Sequence, residues 1–302
     1  MKSGPSELTR VIAPSRLIVT ADDFGLARPV NEAVELAHRS GILTSASLMV
    51  SAPSCDDAIE RARRLPTLAV GLHLVLADGR PVSDPAEIPD LVGRDGRFPS
   101  SPVAAGVAMF CGRAARRQLE REIRAQIERF LDTGLSLDHI DGHHHIQTHP
   151  TVFAILLKLA REYGVRAIRL PREPAVASWR AMHDRAVARL WSGVAYRGLL
   201  HGQERRLRRA GIVCNDWMFG QNDAGRMTAP RLKAMITHMP PGIAEFCLHM
   251  ATQSWCGPEA WPADYACVAE YEAMTDPSIA ALLVERGIER VAFRDLALPS
   301  TI

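Results

Sequence analysis

RLIVTADDFG, Arg16 to Gly25, is the stretch from which the fold can be read. A short β-branched and apolar run, RLIVTA (Arg16 to Ala21), ends in two carboxylates and a glycine, and a segment of helical period from Pro29 to Arg39 follows. The same phrase recurs along the chain. LTSASLMV (Leu43 to Val50) leads into a helical segment at Cys55 to Leu65, and LAVGLHLV (Leu68 to Val75) into a Pro- and Gly-rich interval, Ala77 to Pro102, long enough to suggest function. Leu119, Ile123, Ile127 and Phe130 or Leu131 carry the spacing of an amphipathic helix over Arg113 to Leu131, which Gly134 ends. LDHIDG (Leu137 to Gly142) precedes a helix from Pro150 to about Tyr163, and VRAIRL (Val165 to Leu170) reads as the next strand. IAEFCLH (Ile243 to His249) and RVAF (Arg290 to Phe293) read as strands, with helices at about Ala229 to His238 and Ser278 to Arg286. About seven βα units in one chain of this length suit an α/β fold, a single TIM-like (β/α) barrel domain over residues 1–302, seven- or eight-stranded and distorted; a doubly wound sheet is the alternative.

The 302 residues are 47% hydrophobic and 23% charged, with 36 Lys+Arg against 34 Asp+Glu for a net charge of +2. That composition excludes disorder and collagen and gives no overall basic character for nucleic acid. No run of about 18 apolar residues occurs, and the N-terminus lacks the apolar core of a signal peptide, so the expected location is cytoplasmic. Six cysteines without a C-x-x-C pair, Cys111 among them, read as reduced structural thiols.

The side chains able to hold a metal fall at strand ends. Asp22 and Asp23 follow the first strand, His73 lies near the end of LAVGLHLV, His143 to His145 follow LDHIDG, and His249 closes IAEFCLH. In a (β/α) barrel these ends converge on the face that carries the active site. Neighbouring residues of a strand point to opposite faces, so Asp22 and Asp23 serve one site only if the backbone turns there, and Gly25 supplies a turn. One carboxylate could then ligate a cation while the other takes a proton; the plainer reading is an Asx turn or a cap for the helix at Pro29. Alternation puts His143 and His145 on one side and His144 on the other, unless the turn alters it. Carboxylate plus imidazole favours one divalent metal ion, Zn²⁺ first by ligand type, with Mg²⁺ or another divalent ion next. Lone histidines such as His73 and His249 are ordinarily core residues, and only the shared face raises them above that.

TADDFG (Thr20 to Gly25), GLHL (Gly71 to Leu74), HIDGHHH (His139 to His145) and E-x-x-x-H (Glu245 to His249) occur in the order and spacing of the YdjC-like carbohydrate deacetylases, which the chain resembles from about Arg16 to Phe293. The resemblance is greatest to the hopanoid-biosynthesis-associated branch, HpnK. It implies a metal-dependent N-deacetylase on a (β/α) barrel, with Asp23, His73 and His143 as ligands, Asp22 as base and His249 as the acid for the leaving amine. The implied substrate is an N-acetylglucosaminyl group on a lipid-linked, hopanoid glycoside. His145, Arg169 and Trp255 are the expected substrate contacts; Arg169 and Arg172 could instead orient Asp22 or form surface ion pairs with Glu173. Two positions depart from the family pattern: Gln147 ends the histidine run, and Met250-Ala251 follows His249 where Pro-Gly is common. The alternatives are a deacetylase of soluble chitooligosaccharides, a barrel phosphodiesterase, and a non-catalytic barrel that binds glycan or lipid.

Between Arg172 and Ala210 nine arginines stand against Glu173, Asp184 and Glu204, a net of +6. Val187, Leu190, Trp191, Val194, Tyr196, Leu199 and Leu200 are interleaved among them. The expectation is a basic amphipathic insertion at about 173–211 whose residues 180–209 make peripheral contact with the inner face of a membrane; a solvated insertion packed on the barrel is the plainer reading.

Overall fold

A computed structural model of the protein describes residues 15–110, 112–187, 189, 197–257 and 259–296. Strand β1 (Arg16–Phe24) lies at the centre of a parallel sheet. It pairs with β2 (Ser45–Leu48) through Thr20 to Phe24 and with the strand at Ile243–Leu248 through Arg16 to Ala21. With β3 (Ala69–Leu74), β4 (Leu137–Gly142) and β5 (Trp217–Phe219), and Ile243–Leu248 taken as β6, the order is β4-β3-β2-β1-β6-β5, and β7 (Glu289–Val291) runs beside the start of β1. Every one of these pairings is parallel, and Leu17, Ile18 and Val19 of β1 are all fully buried, as parallel strands covered on both faces require.

Helices fill the connections. After β1 comes α1 (Arg28–Ser40), after β2 comes α2 (Cys55–Arg63), and β3 is followed by the long loop, α3 (Pro102–Phe110) and α4 (Gly112–Asp132). The apolar stripe of α4 is buried at Leu119, Ile123, Ile127 and Phe130 as its spacing requires. Its buried Glu122 and Gln126 accept the backbone N–H groups of Val82, Ser83 and Val75, which ties the loop to the barrel. α5 (Pro150–Glu162), α6 (Ala175–Met182), α7 (Arg197–Arg209), α8 (Ala229–Thr237), α9 (Cys267–Thr275) and α10 (Pro277–Glu285) complete the described helices. The sequence reading misses α3, α6 and α9.

The sheet curls as a half-barrel and does not close. VRAIRL is not a ladder strand: only Ala167 and Ile168 form isolated bridges, to Val213 and Ile140. At Leu170 the pairing ends: the Asn215 amide accepts from Leu170 N–H and donates to Leu170 C=O, both at 2.8 Å, so a side chain takes the hydrogen bonds that would have extended these bridges. β5, which the sequence reading also misses, supplies the next edge.

Where it is described, the basic segment packs apolar residues onto the rest of the chain. α7 turns Leu200, Gln203 and Leu207 inward, leaving Arg197, Arg205, Arg208 and Arg209 at the surface. Arg189 is fully buried and bound to Asp184 and Asp223. Leu190, Trp191, Val194 and Tyr196 lie outside the described residues, as does Cys111. Among the described residues no helix is long and apolar enough to cross a membrane.

Candidate active site

The carboxylate pair meets at one site because β1 breaks between its members. Asp23 has φ +59°, in the left-handed region that non-glycine residues rarely occupy, and the register with β2 shifts between Ala21 and Phe24. The turn therefore begins at Asp23, before Gly25, whose φ of +99° completes it. Neither carboxylate caps a helix: Ala27 stands at the N-cap of α1. The histidine run breaks its alternation in the same way, with His144 and His145 at φ +53° and +56°.

These turns aim side chains from β1, from β3 and from the turn after β4 at one point. Asp23 Oδ1 lies 3.2 Å from His73 Nε2 and 3.0 Å from His143 Nδ1, but neither approach is aligned as a hydrogen bond, so this fully buried oxygen has no hydrogen-bond partner. Its other oxygen accepts the indole N–H of Trp261 at 2.8 Å. His73 binds Asp141 Oδ1 through Nδ1 at 2.8 Å, which leaves Nε2 facing Asp23. A carboxylate behind an imidazole in this manner orients a metal-ligating histidine. The donor set fits a divalent cation on charge as well: Asp22, Asp23, Asp141 and Glu245 are all buried, and Arg169 is the permanent cation bound among them. Burial would raise the Asp23 carboxyl, yet His143 and His73 hold it well below the usual range. Burial would likewise lower His73, but Asp141 and Asp22 hold its proton well above the ordinary imidazole value, and a cation would displace that proton.

Asp22 is set apart from this group by Arg169. The guanidinium grips both Asp22 oxygens, at 2.8 and 2.9 Å, and also reaches Glu245. Against its burial, this cation holds Asp22 below its usual pKa, so the carboxylate is ionised at neutral pH. The Cys247 thiol donates to Asp22 Oδ2 at 3.0 Å; burial and the neighbouring carboxylate keep that thiol protonated. Beneath them Ser47 donates to Asp141 and contacts His139, which is paired with Asp138.

A cavity of about 450 Å³ opens above this group, lined by Asp22, Asp23, His73, His143, His145, Cys247 and His249. Trp261 and Tyr265 wall one side, with ring centroids 5.7 and 5.5 Å from that of His249. His249 is anchored through its backbone N–H to Glu270 Oε2 at 2.6 Å, and its buried Nδ1 has no partner. Met250 and Ala251 are fully buried behind it, so the departure from Pro-Gly leaves the imidazole on the cavity wall. His145 also faces the cavity, its pKa pushed down to about 3 by burial and by Arg169, which keeps it neutral.

Two expected substrate contacts stand elsewhere. Arg169 is completely buried and does not line the cavity; it holds Asp22. Trp255 packs edge-on against Trp261, centroids 4.8 Å apart, and is not part of the lining. Arg172 pairs with Glu204, while Glu173 pairs with Arg189. Sequence reasoning passed over Asp141, Cys247 and Glu270, whose roles come from contacts distant in sequence.

The model of the family described as "YdjC-like protein" matches residues 16–285. This chain belongs to the YdjC-like family. The carbohydrate deacetylase of Geobacillus stearothermophilus is 33% identical over 93% of this chain and 98% of that protein, and the carbohydrate deacetylase of Mus musculus is 32% identical over 93% and 94%. The carbohydrate deacetylase of Brevibacillus brevis is 46% identical over 156 residues, 52% of this chain and 59% of that relative's length. In fold, the chain resembles a crystal structure from Enterococcus faecalis V583 of a protein proposed to cleave cellobiose phosphate. The TM-score is 0.74 at 23% identity, covering 95% of this chain and all of the other.

Proposed function

We propose that this YdjC-like protein is a metal-dependent carbohydrate N-deacetylase, releasing acetate from an N-acetylglucosaminyl group on a lipid-linked glycoside of the hopanoid kind. The observation that carries the reading is the unpartnered Asp23 oxygen facing two imidazoles, beside a separately held, ionised Asp22. The relatives named carbohydrate deacetylase support the substrate class.

Asp23, His73 and His143 hold the ion, with Zn²⁺ favoured by ligand type. A divalent ion there supplies Lewis acidity toward the acetamide carbonyl and toward the attacking water. Asp22 takes the proton of that water, and Arg169 orients Asp22 through both oxygens. His249 delivers a proton to the departing nitrogen. Because burial lowers its pKa, His249 takes that proton up from solvent in the open cavity at its unpartnered Nδ1 before giving it to the nitrogen, and Asp22 returns the proton it took to solvent, which resets both groups. His145 contacts the sugar as a neutral imidazole; Trp255 acts from behind Trp261 by fixing that ring. The enzyme works in the cytoplasm at the inner membrane face, the exposed arginines of α7 meeting anionic lipid. Equal sedimentation with neutral and anionic vesicles would remove that last element.

The test is acetate release from chitooligosaccharides and from a lipid-linked N-acetylglucosaminide. Asp22→Asn should keep its metal and lose about 10² to 10⁴ in turnover, whereas Asp23→Ala should lose both metal and turnover. Equal loss of metal in the two variants contradicts the division of labour. Bound metal without acetate release from either substrate contradicts the enzyme itself.

A further inference from the structure

A larger concavity, about 910 Å³, lies beside β5. One end is Gln221, two residues beyond β5, and Gln221 also lines the 450 Å³ cavity. The other end is Met239 and Pro240, which precede β6, so the groove follows the strands from the catalytic face toward the opposite end of the barrel. Pro171, Val176, Leu200 and Trp217 contribute apolar surface, which exceeds the polar surface of the lining, and Arg172, Glu173, Arg180 and Arg197 also border the groove. Val176 on the groove wall is 54% exposed.

The contents of the two spaces differ in chemistry. Carboxylates and imidazoles line the catalytic cavity, and an apolar group there would strip water from buried charges without replacing it. A hydroxylated sugar suits it. Another hollow that shares Asp78 and Glu259 with the cavity holds only about 20 Å³, room for no more than a water molecule. The groove at Gln221 adjoins the cavity and has both the volume and the surface for an apolar substituent of that sugar.

We propose that this groove is the aglycone subsite: it takes the apolar, ring- or chain-built aglycone of the glycoside whose acetamido sugar occupies the cavity. The proposal rests on the deacetylase reading. Its specificity residue is Val176, exposed on α6 and part of the groove wall, away from the cavity lining.

The experiment compares two substrates, dodecyl N-acetylglucosaminide and N,N′-diacetylchitobiose, in wild type, Val176→Asp and Val176→Trp. One variant places a charge in the groove and the other fills it; exposure of the site lets both fold, which unchanged melting would verify. Both should lose about tenfold or more in kcat/KM on the dodecyl glycoside, through KM, and keep their rate on chitobiose. Dodecyl glycoside should also change the fluorescence of Trp217, and the change should vanish in Trp217→Phe. Parallel loss on both substrates, or loss on neither, overturns the subsite. Deacetylation of chitobiose with no Trp217 response overturns the subsite and leaves the deacetylase reading standing. A Trp217 response without acetate release from either substrate overturns the deacetylase reading, and the subsite with it.

Discussion

Glu270 holds the backbone of His249 on one side and that of Met227 on the other, one carboxylate oxygen for each N–H. It is completely buried with no ion-pair partner among the described residues, and burial pushes its pKa from 4.5 up to about 8. The sign of the linkage follows. The unfolded chain releases this proton near 4.5 and the folded chain near 8, so between those values the folded state binds more protons and stability falls as pH rises. The loss across the window is on the order of a few kcal/mol. Glu270→Gln cannot accept from both N–H groups and should be less stable by about 1 to 3 kcal/mol at pH 5. The gap should narrow toward pH 8, because the variant has no proton to lose; urea unfolding at several pH values reads it, and a constant gap would refute the argument. Nothing in the sequence around Glu270 announces this role. Asp22, Asp23 and the histidine run were legible as chemistry because their residue types and positions at strand ends are local facts. Glu270 and Asp141 act through residues 21 and 68 positions away, and no local pattern encodes such pairs.

At the scale of elements, GLHL in β3 carries a reason for its glycine that only the neighbouring strand reveals. A Cβ on Gly71 would lie 2.4 to 2.6 Å from ring atoms of His139 on β4, so the glycine is the seat of that imidazole. His139 in turn contacts Ser47 on β2 and binds Asp138, linking three adjacent strands beneath the metal-capable residues. Gly71→Ala should destabilise the protein by about 1 to 3 kcal/mol by overpacking. Combining it with His139→Ala should cost less than the sum of the two single changes, since the ring that clashes is gone. Strict additivity in melting or urea data would count against the seat. The readings of β1 to β4, β6 and β7 match runs that form ladders. VRAIRL exchanges backbone hydrogen bonds with Ile140 on one side and Val213 on the other, but Asn215 takes both backbone groups of Leu170, so the pairing stops at single bridges; an asparagine 45 residues away leaves no mark on the run itself. The basic segment was legible in charge but not in placement, because one of the carboxylates that bind Arg189, Asp223, lies in the loop after β5.

Across the whole molecule, the alternation of strands and helices gives the curled parallel sheet, and the convergence of strand ends gives the site; the unclosed wall between β4 and β5 was beyond such reading. The site also couples the sheet to whatever cation it holds. Asp23, His73 and His143 come from β1, from β3 and from the turn after β4, so an ion bound by all three ties together elements up to 120 residues apart that the unfolded chain cannot assemble. At a free metal concentration of about a hundred times Kd the folded state gains about 2.7 kcal/mol, or about 5 °C in melting temperature for a chain of this size. Asp23→Ala separates the two contributions of this residue. Without metal the variant loses a carboxylate that His143, His73 and the Trp261 indole stabilise, and should melt below the metal-free wild type. With metal only the wild type should gain, so the gap between the two melting curves should widen by the whole metal-dependent shift. Calorimetry of chelator-treated and metal-loaded protein tests this. An equal shift in both proteins would place the ion elsewhere, and no shift in the wild type would remove the metal from the site.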